Sequence, residues 1–332
     1  PNGEDLLVGH TTWDDFGKMT RVFKYYTFIL PGSDAVARRI GFSSYPGCVS
    51  STDSFYMMDS GLAAMDTTLE VLNTRLYDRV PDFPANPRVP NFLHVMAINR
   101  MAATASAWTS MYANGAGGVP SAQWVVVDYN QFEPGRTLSD NTLRLVEQVP
   151  GLTYQADMTG LLRTRGYWAS YNRPYSAEVR QFSGHSSAEE MYGSLYSFAD
   201  SPRATIFKHL APAVRSMFGM RHVMNRNVYP NENVLPGTPG HAISARMDLD
   251  EENPLPNGGI DAKVVNRCLF RRLQCQAISG PTHDDVPVFR WTAANGDDLF
   301  PRWPHLGLPD VWNFRWVHVT PARLLPNAAD TC

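Results

Sequence analysis

Hydrophobic positions in the first half of the chain come in short runs rather than in helical stripes. Residues 5 to 10 (DLLVGH) read as a buried strand, and residues 20 to 30 (TRVFKYYTFIL) as a longer one rich in aromatic and β-branched side chains. Further strands are predicted over Ile40 to Ser44, Phe55 to Met58, Leu62 to Thr68 after a Ser60-Gly61 turn, Trp124 to Tyr129 and Leu152 to Asp157. The stretch from Phe92 to Tyr112 has helical length and predicts a helix stopped by Asn114-Gly115 as a glycine C-cap.

The second half is broken by Pro and Gly: PNENVLPGTPGH, ENPLPNGG, ISGPTHDDVP and FPRWPHLGLPD read as loops between short elements. Helices are expected from about Ala188 to Phe198 and from Arg203 to Phe218. Strands are expected near Ile243, over Ile260 to Val265 and over Val311 to Val317. No repeat of fixed period and no charged linker divides the 332 residues, which favours one domain over residues 1–332.

Composition adds that the chain folds: 43% hydrophobic against 18% charged residues excludes a disordered or fibrous polymer. A formal charge of -3 offers no basic field for phosphates, so nucleic acid is not an expected partner. No apolar run reaches membrane-spanning length, and Asn99 and Arg100 interrupt the best candidate. The four cysteines (Cys48, Cys268, Cys275, Cys332) are too scattered for a disulfide scaffold and contain no Cys-x-x-Cys pair. If Cys268 and Cys275 shared a helix they would stand about 10 Å apart by helical rise, too far to bridge. Each would need a distant partner or remain a buried thiol.

Common hydrolase signatures are absent: no Gly-x-Ser-x-Gly elbow, no Walker loop and no His-Glu-x-x-His. The nine histidines lack metal-ligand spacing, so neither a metal nor another cofactor is expected. Four segments place polar residues inside apolar strands: GHTTW at 9–13, SGLAAMDTT at 60–68, YWASYN at 167–172 and SPRATIF at 201–207. Taken singly, His10 at a strand end is an ordinary hydrogen-bonding group or a general base. Asn172 before Arg173-Pro174 is turn chemistry or an oxyanion donor. Thr68 is a strand residue and Arg203 a helix N-terminal residue after Pro202.

Taken together and in order, GHTTW, FSSYPG, DSFYMMDSGL with MDTT, QWVVVDYNQF, VEQVPGL, YWASYN, SPRATIF, AISARMDL, GGIDAKV, SGPT and GLPDVW resemble the phospholipase B-like family from residue 5 to about 314. The resemblance implies an N-terminal-nucleophile hydrolase of α+β class, an αββα sandwich of two antiparallel sheets between helix layers. It also implies a precursor cleaved internally, so that a cysteine begins the C-terminal fragment. That cysteine would lie upstream of Pro1, and Pro1-Asn2-Gly3 reads as a turn following an earlier strand.

Carried over residue by residue, the resemblance gives His10, Asn172 and Arg203 as catalytic residues, with Trp13 and Thr68 lining the pocket. Asn172 would be the oxyanion donor, and Arg203 would hold charge or a substrate carboxylate. The implied partners are the N-terminal fragment of the same precursor and a small amide or lipid substrate. A homodimer and a lysosomal or secreted location fit the same family. Gly9-His10-Thr11-Thr12-Trp13 departs from the family's usual Ala-His-Asn-Thr-Trp, and no Asn-x-Ser/Thr sequon occurs. Two readings follow: an autoprocessed hydrolase of amide or ester acyl bonds, or an inactive member serving as a binding or structural subunit.

Overall fold

The computed structural model describes residues 3–30, 34–80, 89–115, 119–228 and 238–321. Pro1 and Asn2 of the expected first turn, most of the PNENVLPGTPGH loop and Cys332 lie outside the described residues. The chain divides into two compact units, one of residues 1–6, 24–44 and 48–204, the other of residues 7–23, 45–47 and 205–332.

The first unit is built on a seven-stranded sheet whose order follows the chain: Val22–Thr27, Arg39–Ser44, Phe55–Met58, Leu62–Thr68, Ala122–Asp128, Leu143–Val149 and Leu152–Asp157. Neighbours from Arg39–Ser44 onward pair antiparallel. Phe55–Met58 and Leu62–Thr68 match the sequence expectation residue for residue. Leu143–Val149 was not expected as a strand. Arg144, Glu147 and Gln148 interrupt its apolar pattern, yet Glu147 and Gln148 are fully buried.

The expected helix over 92–112 is two helices, Asn91–Met101 and Ala105–Gly115. The chain leaves the helical region at Ala102 (φ -76°, ψ 124°). Thr104 then starts the second helix, its Oγ1 accepting from Ala107 N at 3.1 Å, while Asp128 Oδ2 accepts from Ala105 N at 3.3 Å. Both helices pack on one face of the sheet, where Val95, Ile98, Trp108 and Tyr112 meet Phe42, Tyr56, Leu62, Ala64, Trp124 and Val146. The Trp108 ring stacks on Tyr112 at 5.4 Å, and its indole N–H donates to Asn99 Oδ1 at 2.7 Å.

Further helices run over Thr159–Arg165, Ala177–Ser183 and His185–Tyr192. Gly184, at φ +91°, separates the last two, and the helix expected over 188–198 is correspondingly displaced and ends in a 3₁₀ turn at Gly193–Tyr196. The expected helix over 203–218 is likewise interrupted. It runs over Pro202–Leu210, passes through a 3₁₀ turn containing Pro212, and restarts as Met217–Met224 behind a Ser216 cap.

The second unit carries a four-stranded antiparallel sheet in the order Val8–Asp15, Asn257–Val265, Cys275–Ser279, Val317–Val319. Val223 and Met224 of the Met217–Met224 helix pack with Ala262, Val264, Ile278 and Ile243. A second apolar cluster joins Phe16, Ile260, Phe289, Trp291, Phe300 and Trp312. The strand expected near Ile243 is absent there. The segment instead bends toward an isolated bridge between Arg246 and Gly258.

Three quoted motifs meet in this unit, and their packing explains their composition. A Cβ on Gly258, which sits at φ +139°, would lie 2.1 Å from Ala245 O, and one on Gly259 would lie 2.3 Å from Ser244 Oγ. GGIDAKV can therefore lie against AISAR only through its glycines. The buried Arg246 forks onto Asp248 at 2.8 and 2.7 Å and donates to Thr282 O and Pro287 O. Thr282 Oγ1 in turn donates to Ser244 Oγ at 2.7 Å.

Cys268, on the short Arg267–Arg271 helix, is disulfide-bonded, whereas Cys275 lies on the following strand as a buried free thiol. The two share no helix. The architecture is α+β with antiparallel sheets, as the sequence implied.

Candidate active site

In the first unit the structure brings together Thr68, Asn172 and Arg203, which lie far apart in sequence. The Tyr171–Arg173 segment crosses the end of Leu62–Thr68, and Asn172 Nδ2 donates to the main-chain oxygen of Thr68 at 2.7 Å. Arg203, in the first turn of Pro202–Leu210, donates through Nη1 to Asn172 Oδ1 at 2.7 Å. Asn172 holds φ at +62°, a left-handed conformation that a non-glycine side chain adopts at a cost. Its main-chain N–H donates to Thr67 Oγ1 at 3.4 Å, and its carbonyl accepts from Arg173 Nη1 at 3.2 Å.

The surroundings of Asn172 are cationic. Burial lowers the Arg203 guanidinium to about 10, and the nearby charge of Arg173 adds to the effect. Burial lowers Arg173 as well. His185, whose Nδ1 lies 2.9 Å from Ser183 Oγ, is lowered to about 4 by burial, reinforced by Arg173 and Arg180. His185 is thereby kept neutral, and a carboxamide N–H beside the Arg173 and Arg203 guanidiniums suits a developing negative oxygen.

In the second unit, His10 and Trp13 stand on Val8–Asp15. Val8, His10 and Thr12 face inward, and His10 is paired across the sheet with Lys263 and Thr12 with Asp261. Lys263 Nζ donates to Thr12 Oγ1 at 2.7 Å and to Asp261 Oδ1 at 2.5 Å, and Arg21 Nε donates to Asp261 Oδ2 at 2.8 Å. Burial by itself would raise the Asp261 carboxyl, but Lys263 and Arg21 prevail and hold it well below the usual carboxylate range. A register shift between Thr12 and Trp13 re-aims the strand, and the Trp13 indole donates to Ile243 O at 2.8 Å.

Several residues around these positions escaped the sequence reading. Thr67, rather than its neighbour Thr68, supplies the hydroxyl that meets the Asn172 segment. Gln123, Glu147, Asp261 and Lys263 are all buried polar residues inside strands. Their available signal was that polarity within otherwise apolar runs such as AQWVVVD and GGIDAKV.

Among solved structures, a single-residue variant of conjugated bile acid hydrolase from Clostridium perfringens superposes with a TM-score of 0.50 at 9% identity, covering 99% of this chain and 98% of that one. The fold is thus that of the N-terminal-nucleophile hydrolases. The phospholipase B family profile matches residues 1–319, and the chain belongs to that family. It is 35% identical over 325 residues to phospholipase B-like protein C of Dictyostelium discoideum, which covers 94% of this chain and 56% of the relative. It is 33% identical over 326 residues to human phospholipase B-like 1, covering 97% and 56% respectively. The chain therefore spans little more than half the length of these relatives.

Proposed function

We propose that this chain is the larger part of an autoprocessed hydrolase of amide or ester acyl bonds, whose nucleophile is a cysteine exposed at the start of the mature fragment, upstream of Pro1. A thiol at a chain terminus has its own α-amine beside it, with a reference pKa of about 7.7 to 8.0, suited to take the thiol proton. The thiolate attacks the acyl carbon, and the carbonyl oxygen becomes an oxyanion. Collapse of that intermediate expels the amine or alcohol, which takes the proton from the terminal amine. Water then hydrolyses the thioester, returning the thiol and releasing the acid.

The observation that carries this reading is the fixed carboxamide of Asn172. An amide nitrogen has two hydrogens, and Thr68 O accepts one, so a second is there for the oxyanion. Arg203 holds the amide oxygen and adds positive charge. The family resemblance also gives His10 as a catalytic residue and Trp13 as a pocket residue. The disulfide at Cys268 suits an oxidising compartment, in keeping with a secreted or lysosomal protein.

The test is the mass and N-terminal sequence of the mature polypeptide purified from its native source. A free N-terminal cysteine supports the hydrolase. An uncleaved junction or another residue at that position leaves the alternative, a binding or structural subunit on the same fold.

A further inference from the structure

Three adjacent strands place Thr67, Gln123 and Glu147 in one cross-strand row, since Thr67 pairs with Gln123 and Gln123 with Glu147. Alternation puts this row on the sheet face opposite Leu62, Ala64, Trp124 and Val146, which point to the Asn91–Met101 and Ala105–Gly115 helices. The row receives the segment from Ser170 to Ser176. Gln123 and Glu147 are fully buried, so each of their polar atoms needs a partner.

The partners form a directed chain. Glu147 Oε1 accepts from Tyr175 N at 2.6 Å and Oε2 from Ser176 N at 2.9 Å. Oε1 also accepts from Gln123 Nε2 at 2.6 Å, and the same Nε2 donates to Arg173 O at 3.1 Å. Both hydrogens of the Gln123 amide are then committed, and its Oε1 accepts from the Ser170 hydroxyl. With its own hydrogen so placed, Ser170 Oγ accepts from Thr67 Oγ1 at 2.5 Å, leaving a lone pair of Thr67 for Asn172 N. Carboxylate, amide and two hydroxyls thus point their donors one way, and the carboxylate end sets the direction.

We propose that Gln123 and Glu147 are positioning residues for Asn172, holding the Ser170–Ser176 segment in the one conformation that keeps Asn172 left-handed with its carboxamide between Thr68 and Arg203. Neither touches the amide of Asn172; both act through the backbone at Arg173, Tyr175 and Ser176 and through Ser170 and Thr67. Glu147→Gln retains the shape but puts an NH₂ where the carboxylate accepts from Ser176 N or from Gln123 and Tyr175. One buried donor then faces another. The catalytic consequence rests on the oxyanion role of Asn172 given above, whereas the structural consequence does not.

The experiment uses the full-length, processed protein. E147Q, Q123M and the milder S170A are each compared with wild type by crystal structure and by hydrolysis of an acyl p-nitroanilide. The expected structures lose the positive φ of Asn172 or its bonds to Thr68 and Arg203. The expected kinetics are a fall in kcat of about tenfold or more with KM unchanged, as a displaced catalytic group produces. E147Q added to N172A should give no further loss. An unmoved Asn172 in all three structures overturns the proposal, as does a loss that multiplies with that of N172A. If E147Q does not fold, Q123M and S170A decide the matter by the same two readouts. If N172A alone leaves hydrolysis unchanged, the oxyanion role fails, and the structures still judge the positioning.

Discussion

Arg203 Nη1 meets Asn172 Oδ1 at 2.7 Å, and this single contact decides which way the Asn172 carboxamide faces. With its oxygen held by a guanidinium, the nitrogen must turn to Thr68 O. The cation does more than add charge: it makes Asn172 a donor at the place where the proposed chemistry needs one. Lysine would keep the charge but lose the planar fork. Arg203→Lys is expected to lower kcat by about tenfold, the worth of one charge-assisted hydrogen bond. Equal kcat in steady-state hydrolysis by R203K would show that the amide is oriented by other means.

Asp66, next to Thr67, gives the fold a pH dependence of defined sign. Burial pushes its carboxyl from 3.8 up to about 7, with the Ser54 hydroxyl opposing. The folded state therefore binds more protons than the unfolded state between these values. The favourable contribution is complete below pH 3.8 and is lost as pH rises through about 7. Thermal unfolding at a series of pH values should show Asp66→Asn losing less stability than wild type between about pH 4 and 7. Parallel curves for the two proteins would contradict the assignment.

The Arg21–Asp261–Lys263 group should be intolerant of single deletions. Lys263 and Asp261 have side chains only 1% and 5% exposed, so removing one leaves the other charge poorly compensated in the interior. Lys263→Met is expected to cost about 3 to 5 kcal/mol in urea unfolding, as breaking a buried pair commonly does. A change below about 1 kcal/mol, the range of exposed pairs, would mean that Arg21 alone satisfies Asp261.

Cys275 should be chemically silent in the native protein. Burial raises its thiol to about 12, with Lys263 only partly offsetting the effect. Iodoacetamide followed by peptide mass spectrometry should find Cys275 unmodified in the folded protein and modified after unfolding. Native-state alkylation would show that the strand opens.

The strands that sequence patterning located were those whose side chains are mostly apolar, Phe55–Met58 and Leu62–Thr68 among them. Leu143–Val149 stayed hidden because Glu147 looks like a surface residue until Gln123, Tyr175 and Ser176 are seen to surround it. Helix lengths misled for a different reason. Local signals such as Thr104, Gly184 and Pro212 end or restart helices within runs whose hydrophobicity continues. Of the site, the family resemblance supplied Thr68, Asn172 and Arg203, which the structure joins by hydrogen bonds. The supporting row behind them depends on cross-strand register, which no single segment encodes.

The oxyanion role of Asn172 is tested most directly by turnover of an acyl p-nitroanilide by processed wild-type protein and by Asn172→Ala at equal concentration. Loss of one oxyanion donor predicts a fall in kcat of roughly 10²-fold or more. An unchanged kcat, with both proteins equally folded, would contradict it.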